Sequence, residues 1–217
     1  MAEFSFQTVN NFDQHINNSI AGYSDLVEDV LKISDYFVED GMKSYDLGCS
    51  TGSLIKRLSV RHPKSFFVGI DKEDNFSKDF TSSGNYQLIK RDLMTIDNFS
   101  EATFITSLFT MQFLSERDRT TIIDRVYKSL QVGGCFLWCE KILSNNPKFQ
   151  DILSFIYYDR KREKFTDTEI LDKERSLRKI MKSLTLEDNF SILNRVGFSR
   201  YEIFWRRYNF VGIIAIK

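Results

Sequence analysis

The sequence predicts an α/β protein with a doubly wound, mostly parallel sheet. Short apolar runs alternate with amphipathic helical segments from residue 43 to residue 142, the pattern of strands connected by crossover helices. One run, Ser65-Phe66-Phe67-Val68-Gly69-Ile70-Asp71, is apolar almost throughout and ends in a carboxylate, as expected of a strand buried on both faces. Another runs into a glycine-containing turn that opens a helix, Asp46-Leu47-Gly48-Cys49-Ser50-Thr51-Gly52.

Each element has a local reason. Residues 10–19 are polar and rich in Asn and read as a helix ended at Ala21-Gly22-Tyr23. Residues 24–38 place Leu26, Val27, Val30, Leu31, Ile33 and Phe37 at helical spacing. Residues 43–47 form the first strand, and residues 53–60 follow as a helix with Leu54, Ile55 and Leu58 on one face. Residues 65–71, 86–89 and 102–109 are the next three strands. Residues 115–130 carry Ile122, Ile123, Val126, Tyr127 and Leu130 on one helical face behind an N-capping Ser115. Gly133-Gly134 stops that helix, and residues 135–142 give a fifth strand. Beyond Pro147, residues 149–158, 167–184 and 187–196 read as helices. Residues 201–205 and 209–216 read as an antiparallel pair at the sheet edge. One domain over residues 1–217 is expected, with a helical N-terminal cap over 1–40 and a helical insertion over 147–197.

Composition narrows the class. The 217 residues are 42% hydrophobic and 28% charged, enough for a core and for solubility. Thirty basic and thirty acidic side chains cancel, so no global field draws the chain to nucleic acid, and no direct nucleic-acid binding is expected. Three cysteines cannot build a disulfide framework and fit a reducing compartment. Neither a membrane span nor a signal peptide is visible, so a cytoplasmic protein is expected. No metal site is expected, because only two His are present and neither lies near Cys135 and Cys139.

The Gly48 turn is the chemical centre of the sequence. Following a strand and opening a helix, it can aim backbone N–H groups and a helix N-terminus at a polar ligand group. Asp71, about 20 residues after Gly48 at the end of the next strand, suits a carboxylate that accepts hydrogen bonds from a ribose diol. Asp92 follows the third strand, where it is placed to meet an adenine amino group. The turn is not the Gly-x-Gly-x-x-Gly of a dinucleotide site, and no Gly-Lys-Ser/Thr is present for a P-loop. A nucleoside without phosphates fits better, and S-adenosylmethionine (SAM) is the common one.

Asp46-Leu47-Gly48-Cys49-Ser50-Thr51-Gly52 resembles the first motif of the carboxy-S-adenosylmethionine synthase family. The resemblance continues through His15-Ile16, Ser19-Ile20-Ala21-Gly22-Tyr23, Phe109-Thr110-Met111-Gln112-Phe113-Leu114, Asp159-Arg160-Lys161-Arg162, Gly197-Phe198 and Tyr208-Asn209-Phe210. It implies the Rossmann-like class I methyltransferase fold. It also implies SAM as cofactor, with carboxy-SAM or S-adenosylhomocysteine as related ligands, prephenate as carboxyl donor, a tRNA modification pathway and a homodimer. Tyr23, Gly48, Cys49, Ser50, Asp71 and Asp92 match the family's cofactor-binding positions, and Lys72 and Leu93 follow the two carboxylates, contributing mostly backbone.

Three positions depart from the family: Ala21 stands for Pro, Leu108 for Asn, and Glu174 for the Arg that holds the extra carboxylate of carboxy-SAM. Glu174 there predicts a cleft that disfavours a second ligand carboxylate, and Arg175, about 100° further round a helix, would substitute only if the helix turned. Tyr23 and Arg175 are thus the candidate substrate contacts. An ordinary methyltransferase with an unknown acceptor and a non-catalytic SAM-binding module remain open alongside the synthase reading. His15 is read as a substrate contact or a surface side chain, Cys49 as close packing in the turn, and residues 157–182 as a solvated basic helical face.

Overall fold

A computed structural model describes residues 11–78 and 80–217. The part of the N-terminal cap before residue 11 lies outside the described residues. The chain runs α1 (Phe12–Ser19), α2 (Tyr23–Ser34), β1 (Lys43–Leu47), α3 (Ser53–Arg61), β2 (Phe66–Asp71), a one-turn α4 (Asp74–Ser77), β3 (Tyr86–Lys90), β4 (Ala102–Leu108) and α5 (Glu116–Ser129). It continues with β5 (Leu130–Lys141), α6 (Pro147–Arg162), α7 (Asp167–Ile180), α8 (Leu186–Val196), β6 (Arg200–Arg207) and β7 (Phe210–Ile216).

The seven strands are ordered β3-β2-β1-β4-β5-β7-β6. The first five are parallel; β7 inserts between β5 and β6, antiparallel to both. Strand order reverses between β1 and β4, so the crevice of an open α/β sheet lies outside the carboxyl ends of these strands. One face of the sheet packs Phe136, Trp138 and Val211 against Ile122, Ile123 and Val126 of α5 and Ile192 and Leu193 of α8. The other packs Phe67, Phe104 and Leu137 against Leu26 and Val30 of α2 and Ile55 and Leu58 of α3. Burial on both faces explains why these strands read as continuous apolar runs.

Two boundaries differ from the sequence reading. The glycine pair does not separate helix from strand: α5 ends at Ser129, β5 begins at Leu130, and Gly133-Gly134 sits inside the strand where its register against β4 shifts. Gly133 has φ 83°, so it supplies the left-handed residue that such a bulge requires. Helix α7 stops at Ile180 rather than at residue 184, because the chain then leaves to bond elsewhere. The Lys182 N–H donates to the Gln112 carbonyl at 2.6 Å, and the Lys182 carbonyl accepts from Arg119 at 2.8 Å.

Candidate active site

A cleft of about 340 Å³ opens at the carboxyl ends of β1, β2, β3, β4 and β5 and is roofed by α1, α2, α6 and α7. Its volume lies within the range of small-molecule sites. Tyr23, Gly48, Cys49, Ser50, Asp71, Lys72, Asp92 and Leu93 all stand on its wall.

The turn after β1 is held by β2. The N–H groups of Gly48 and Cys49 both donate to the Ile70 carbonyl, at 2.8 and 3.0 Å, and the Ser50 N–H donates to Asp71 Oδ2 at 2.9 Å. This corrects the expectation that these N–H groups face a ligand: all three are committed to the fold. Gly48 has φ 85°, and a Cβ added to it would lie 2.0 Å from Thr110 Oγ1. Glycine is required there by the Thr110 side chain and by the backbone conformation. Ser50 takes φ 46° without being glycine, a strained conformation of the kind found at ligand sites.

Asp71 is the hub of the turn. Its Oδ1 accepts from the Glu73 N–H at 3.0 Å, so each carboxylate oxygen is oriented by one backbone donor and keeps further acceptor capacity. Burial pushes its carboxyl above the usual range, and the N–H groups of Glu73, Ser50 and Lys72 oppose that shift. Asp92 Oδ1 caps the turn at residues 93–95 by accepting from the Met94 N–H at 2.9 Å, while Oδ2 lies 3.6 Å from Lys72 Nζ. Lys72 therefore contributes its side chain as well as its backbone, tying the ends of β2 and β3 together.

Asp46 was not singled out by sequence reasoning. Asp46 is buried at the end of β1, accepts from Thr106 Oγ1 at 2.7 Å, and is pushed up to about 7 by desolvation. Its signal was a charged residue closing an apolar strand directly before the turn. Tyr23 starts α2 and its ring lies 6.3 Å from that of Phe109; burial, then Asp46 and Asp13, raise its hydroxyl above the ordinary range. Phe109 itself takes φ 59°, a conformation disfavoured for a bulky side chain. Burial also raises the Cys49 thiol, which makes it a packing group rather than a nucleophile.

At the far end the wall becomes basic. Lys141 leaves β5 with its N–H held by Gln112 Oε1 at 2.7 Å and its ammonium over the rings of Tyr157 and Phe210, at 5.2 and 5.9 Å. Lys173 of α7 reaches across to α1, with Nζ 2.6 Å from His15 Nε2 and 2.8 Å from Ser19 Oγ. Desolvation and the neighbouring Lys173 and Lys161 lower His15 to about 4, so its imidazole is neutral and Nε2 accepts from the ammonium.

Helix α7 settles where Glu174 and Arg175 point. Lys173 and Leu177, one helical turn apart, face the cleft. The Glu174 carboxylate turns to Lys141 and Lys161, each at 3.4 Å, and does not line the cleft. Burial would raise its carboxyl, but the two lysines outweigh burial and hold it below the usual range. Arg175 points to solvent and pairs with Asp172 at 3.0 Å, so it is not brought to the cleft. Two positions past Lys173 is about 200° of helical rotation, which places it on the opposite face.

With this geometry in view, comparison with known proteins is decisive. The chain is 34% identical to the carboxy-S-adenosyl-L-methionine synthase of Staphylococcus epidermidis, over 98% of this chain and 95% of that protein. It is 29% identical to the synthase of the same name from Nautilia profundicola, over 99% and 94%. The chain belongs to the carboxy-S-adenosyl-L-methionine synthase family. It is accordingly a SAM-dependent transferase.

A scan against protein-family models gave no match. Among solved structures the fold is that of class I methyltransferases. Human N-acetylserotonin methyltransferase in complex with SAM superposes with a TM-score of 0.61 at 17% identity, over 90% of this chain and 52% of that one. The SAM-dependent methyltransferase SibL gives 0.61 at 13% identity, over 96% and 60%. The synthase-family chain thus spans between half and two thirds of these methyltransferases, as against nearly the whole of its curated relatives. Among its described residues no helix is long and apolar enough to cross a membrane, and no group of three or more His, Cys, Asp or Glu is placed to hold a metal ion.

Proposed function

We propose that the cleft binds SAM and that the protein transfers the carboxyl group of prephenate to the methyl carbon of this cofactor, releasing phenylpyruvate. The observation that carries the reading is the pair of oriented carboxylates, Asp71 and Asp92, at the ends of adjacent strands beside the Ser50 turn. Asp71 would hold the ribose diol with its remaining lone pairs and Asp92 the adenine amino group, with Leu93 as the apolar surface beside the base. Asp46 lines the cleft with its carboxyl raised to about 7 by burial, so a cationic cofactor beside it would favour its ionised form. Tyr23, Cys49 and Gly48 shape the wall between them.

SAM supplies a methyl group activated by the adjacent sulfonium. In the net reaction the prephenate carboxyl replaces one methyl hydrogen, and that hydrogen leaves as water with the hydroxyl lost when the prephenate ring becomes aromatic. The protein's part is to bind both molecules together and exclude bulk water. The 34% identity to a synthase over nearly the full chain supports this reading above an ordinary methyltransferase with another acceptor. Carboxy-SAM is then the product and S-adenosylhomocysteine a bound analogue.

Two further elements belong to this proposal. A homodimer is supported by the exposed stripe Phe149, Ile152, Phe155 and Ile156 along α6, a patch that a second copy would cover. A cytoplasmic site of action is supported by three free, buried cysteines.

The test is turnover by the purified protein. Phenylpyruvate should appear only when SAM and prephenate are supplied together. Consumption of SAM with no dependence on prephenate would favour the ordinary methyltransferase instead.

A further inference from the structure

Helix α7 brings Leu177 to the cleft, and Met181, the residue that ends the helix, lines it as well. The chain then crosses the outer ends of two strands. The Lys182 N–H donates to the Gln112 carbonyl at 2.6 Å, just after β4, and the Leu143 N–H, just after β5, donates to the Leu184 carbonyl at 2.9 Å. Gln112 lines the cleft too, and its side chain accepts from the Lys141 N–H at 2.7 Å. Residues 181–185 are thus a strap that sets where the end of α7 stands over β4 and β5. In the strand order β3-β2-β1-β4-β5 this wall lies at the opposite end from Asp71 and Asp92.

The strap is pinned by a side chain that does not itself line the cleft. Arg119, near the start of α5, is fully buried. Its Nη2 donates to the Lys182 carbonyl at 2.8 Å and its Nη1 to Asn189 Oδ1 of α8 at 3.2 Å, with the Glu140 carboxyl of β5 3.7 Å from Nη1. One planar fork therefore fixes the strap relative to α5, α8 and β5. Burial pushes the Glu140 carboxyl up to about 7 and Arg119 opposes that shift, so each charge favours the other. Buried pairs of this kind often contribute little net stability against apolar residues of the same volume, whereas their directional bonds hold geometry.

We propose that Arg119 is a positioning residue of the reaction: through the Lys182 carbonyl it holds the strap, and with it Leu177 and Met181, against the carboxyl donor without touching either substrate. The inference deepens, and rests on, the reading of the cleft as a site for SAM and prephenate. With the nucleoside held at Asp71 and Asp92, the donor occupies the β4–β5 end, where this wall stands. A strap released from Arg119 leaves the nucleoside half intact and lets the donor drift from the methyl carbon, which costs rate steeply.

Steady-state turnover of SAM and prephenate by Arg119→Lys, Arg119→Met and Asn189→Ala tests this, well below the unfolding temperature of each, with calorimetric titration of S-adenosylhomocysteine alongside. Arg119→Lys keeps a cation beside Glu140 but cannot span Lys182 and Asn189 together. Asn189→Ala removes one arm of the same buried network and leaves the bond to Lys182, so it reports the effect of lost stability alone. In both Arg119 variants kcat/KM for prephenate should fall by about tenfold or more, while affinity for S-adenosylhomocysteine stays within about twofold of wild type. Asn189→Ala should turn over as wild type although it unfolds more easily. If Arg119→Met does not fold, Arg119→Lys decides alone. Wild-type kcat/KM in Arg119→Lys, an equal loss in Asn189→Ala, or a parallel loss of S-adenosylhomocysteine affinity overturns the positioning role. Wild-type protein that binds S-adenosylhomocysteine but does not turn over prephenate removes the synthase reading instead, and the positioning role with it.

Discussion

The Ser50 N–H donates to Asp71 Oδ2 across 2.9 Å, so the cleft-lining turn after β1 and the carboxylate ending β2 are one structural unit. Replacing either residue acts on both. Asp71→Asn keeps the size and one acceptor oxygen but loses the charge that draws the turn and the ribose hydroxyls. SAM affinity should fall by about 1.5–3 kcal/mol, the range for hydrogen bonds to a charged group. Calorimetry on the folded variant reads this directly; affinity within a factor of two of wild type would contradict the assignment of Asp71.

Ser50 itself is the strained member of that unit, at φ 46°. Glycine adopts the left-handed region without the Cβ penalty, which is about 1–2 kcal/mol per residue. Ser50→Gly should therefore stabilise the protein, by about 1 kcal/mol once glycine's greater unfolded-state entropy is counted. Urea denaturation would show the midpoint rising with the slope unchanged.

Gly48 and Thr110 form a second tightly coupled pair. Gly48→Ala places a Cβ 2.0 Å from Thr110 Oγ1 and should destabilise the fold. Removing the obstacle in Gly48→Ala/Thr110→Gly should recover part of that loss, leaving the cost of the positive φ. A double-mutant cycle reports the coupling, expected at about 0.5–3 kcal/mol for residues in contact. Strict additivity would mean that the turn relaxes away from Thr110.

Asp46 should give stability a pH dependence opposite in sign to that of a salt-bridged carboxylate. Burial raises its folded pKa to about 7 from 3.8. The native state therefore holds a proton that the unfolded chain has released, and stability drops as pH rises between those values. Asp46→Asn removes the titration and keeps an acceptor for Thr106. The variant should gain on wild type progressively from pH 4 to pH 7 and hold the gain above, by about 4 kcal/mol at most for a shift of this size. Chemical denaturation across that pH range checks it; a difference that shrinks with pH would have the wrong sign.

Glu174 should behave in the reverse manner. Lys141 and Lys161 hold its folded pKa below 4.5, so its contribution is present above that value and is lost as pH falls through the depressed one. Glu174→Gln leaves Lys161, only 1% exposed, without its carboxylate and should cost about 3 kcal/mol near neutral pH. The deficit relative to wild type should close under acid, as measured by thermal or denaturant unfolding.

What the sequence could tell depended on how local the cause was. The parallel strands were readable because burial on both faces writes them as apolar runs, Asp71 because it closes such a run, and Asp92 because it follows one. The bulge at Gly133-Gly134 was read as a stop, since a glycine pair signals a break whether it ends a helix or shifts a register. Arg175 and Glu174 were the hardest: sequence alignment fixes their order along α7, but only the packing of α7 against α1, α6 and β5 decides which face meets the cleft. Lys141, Lys173 and Asp46 were missed for a related reason. Their meaning lies in charges brought together from β1, β5, α6 and α7, which no local window contains.

The central claim is tested most directly by following the carboxyl group itself. Protein incubated with SAM and prephenate labelled in its ring carboxyl should yield, by mass spectrometry, carboxy-SAM carrying the label, together with unlabelled phenylpyruvate in equal amount. SAM recovered without the added carboxyl, while the same preparation binds SAM and prephenate, would contradict the assignment of this chain as a carboxyl-transferring enzyme.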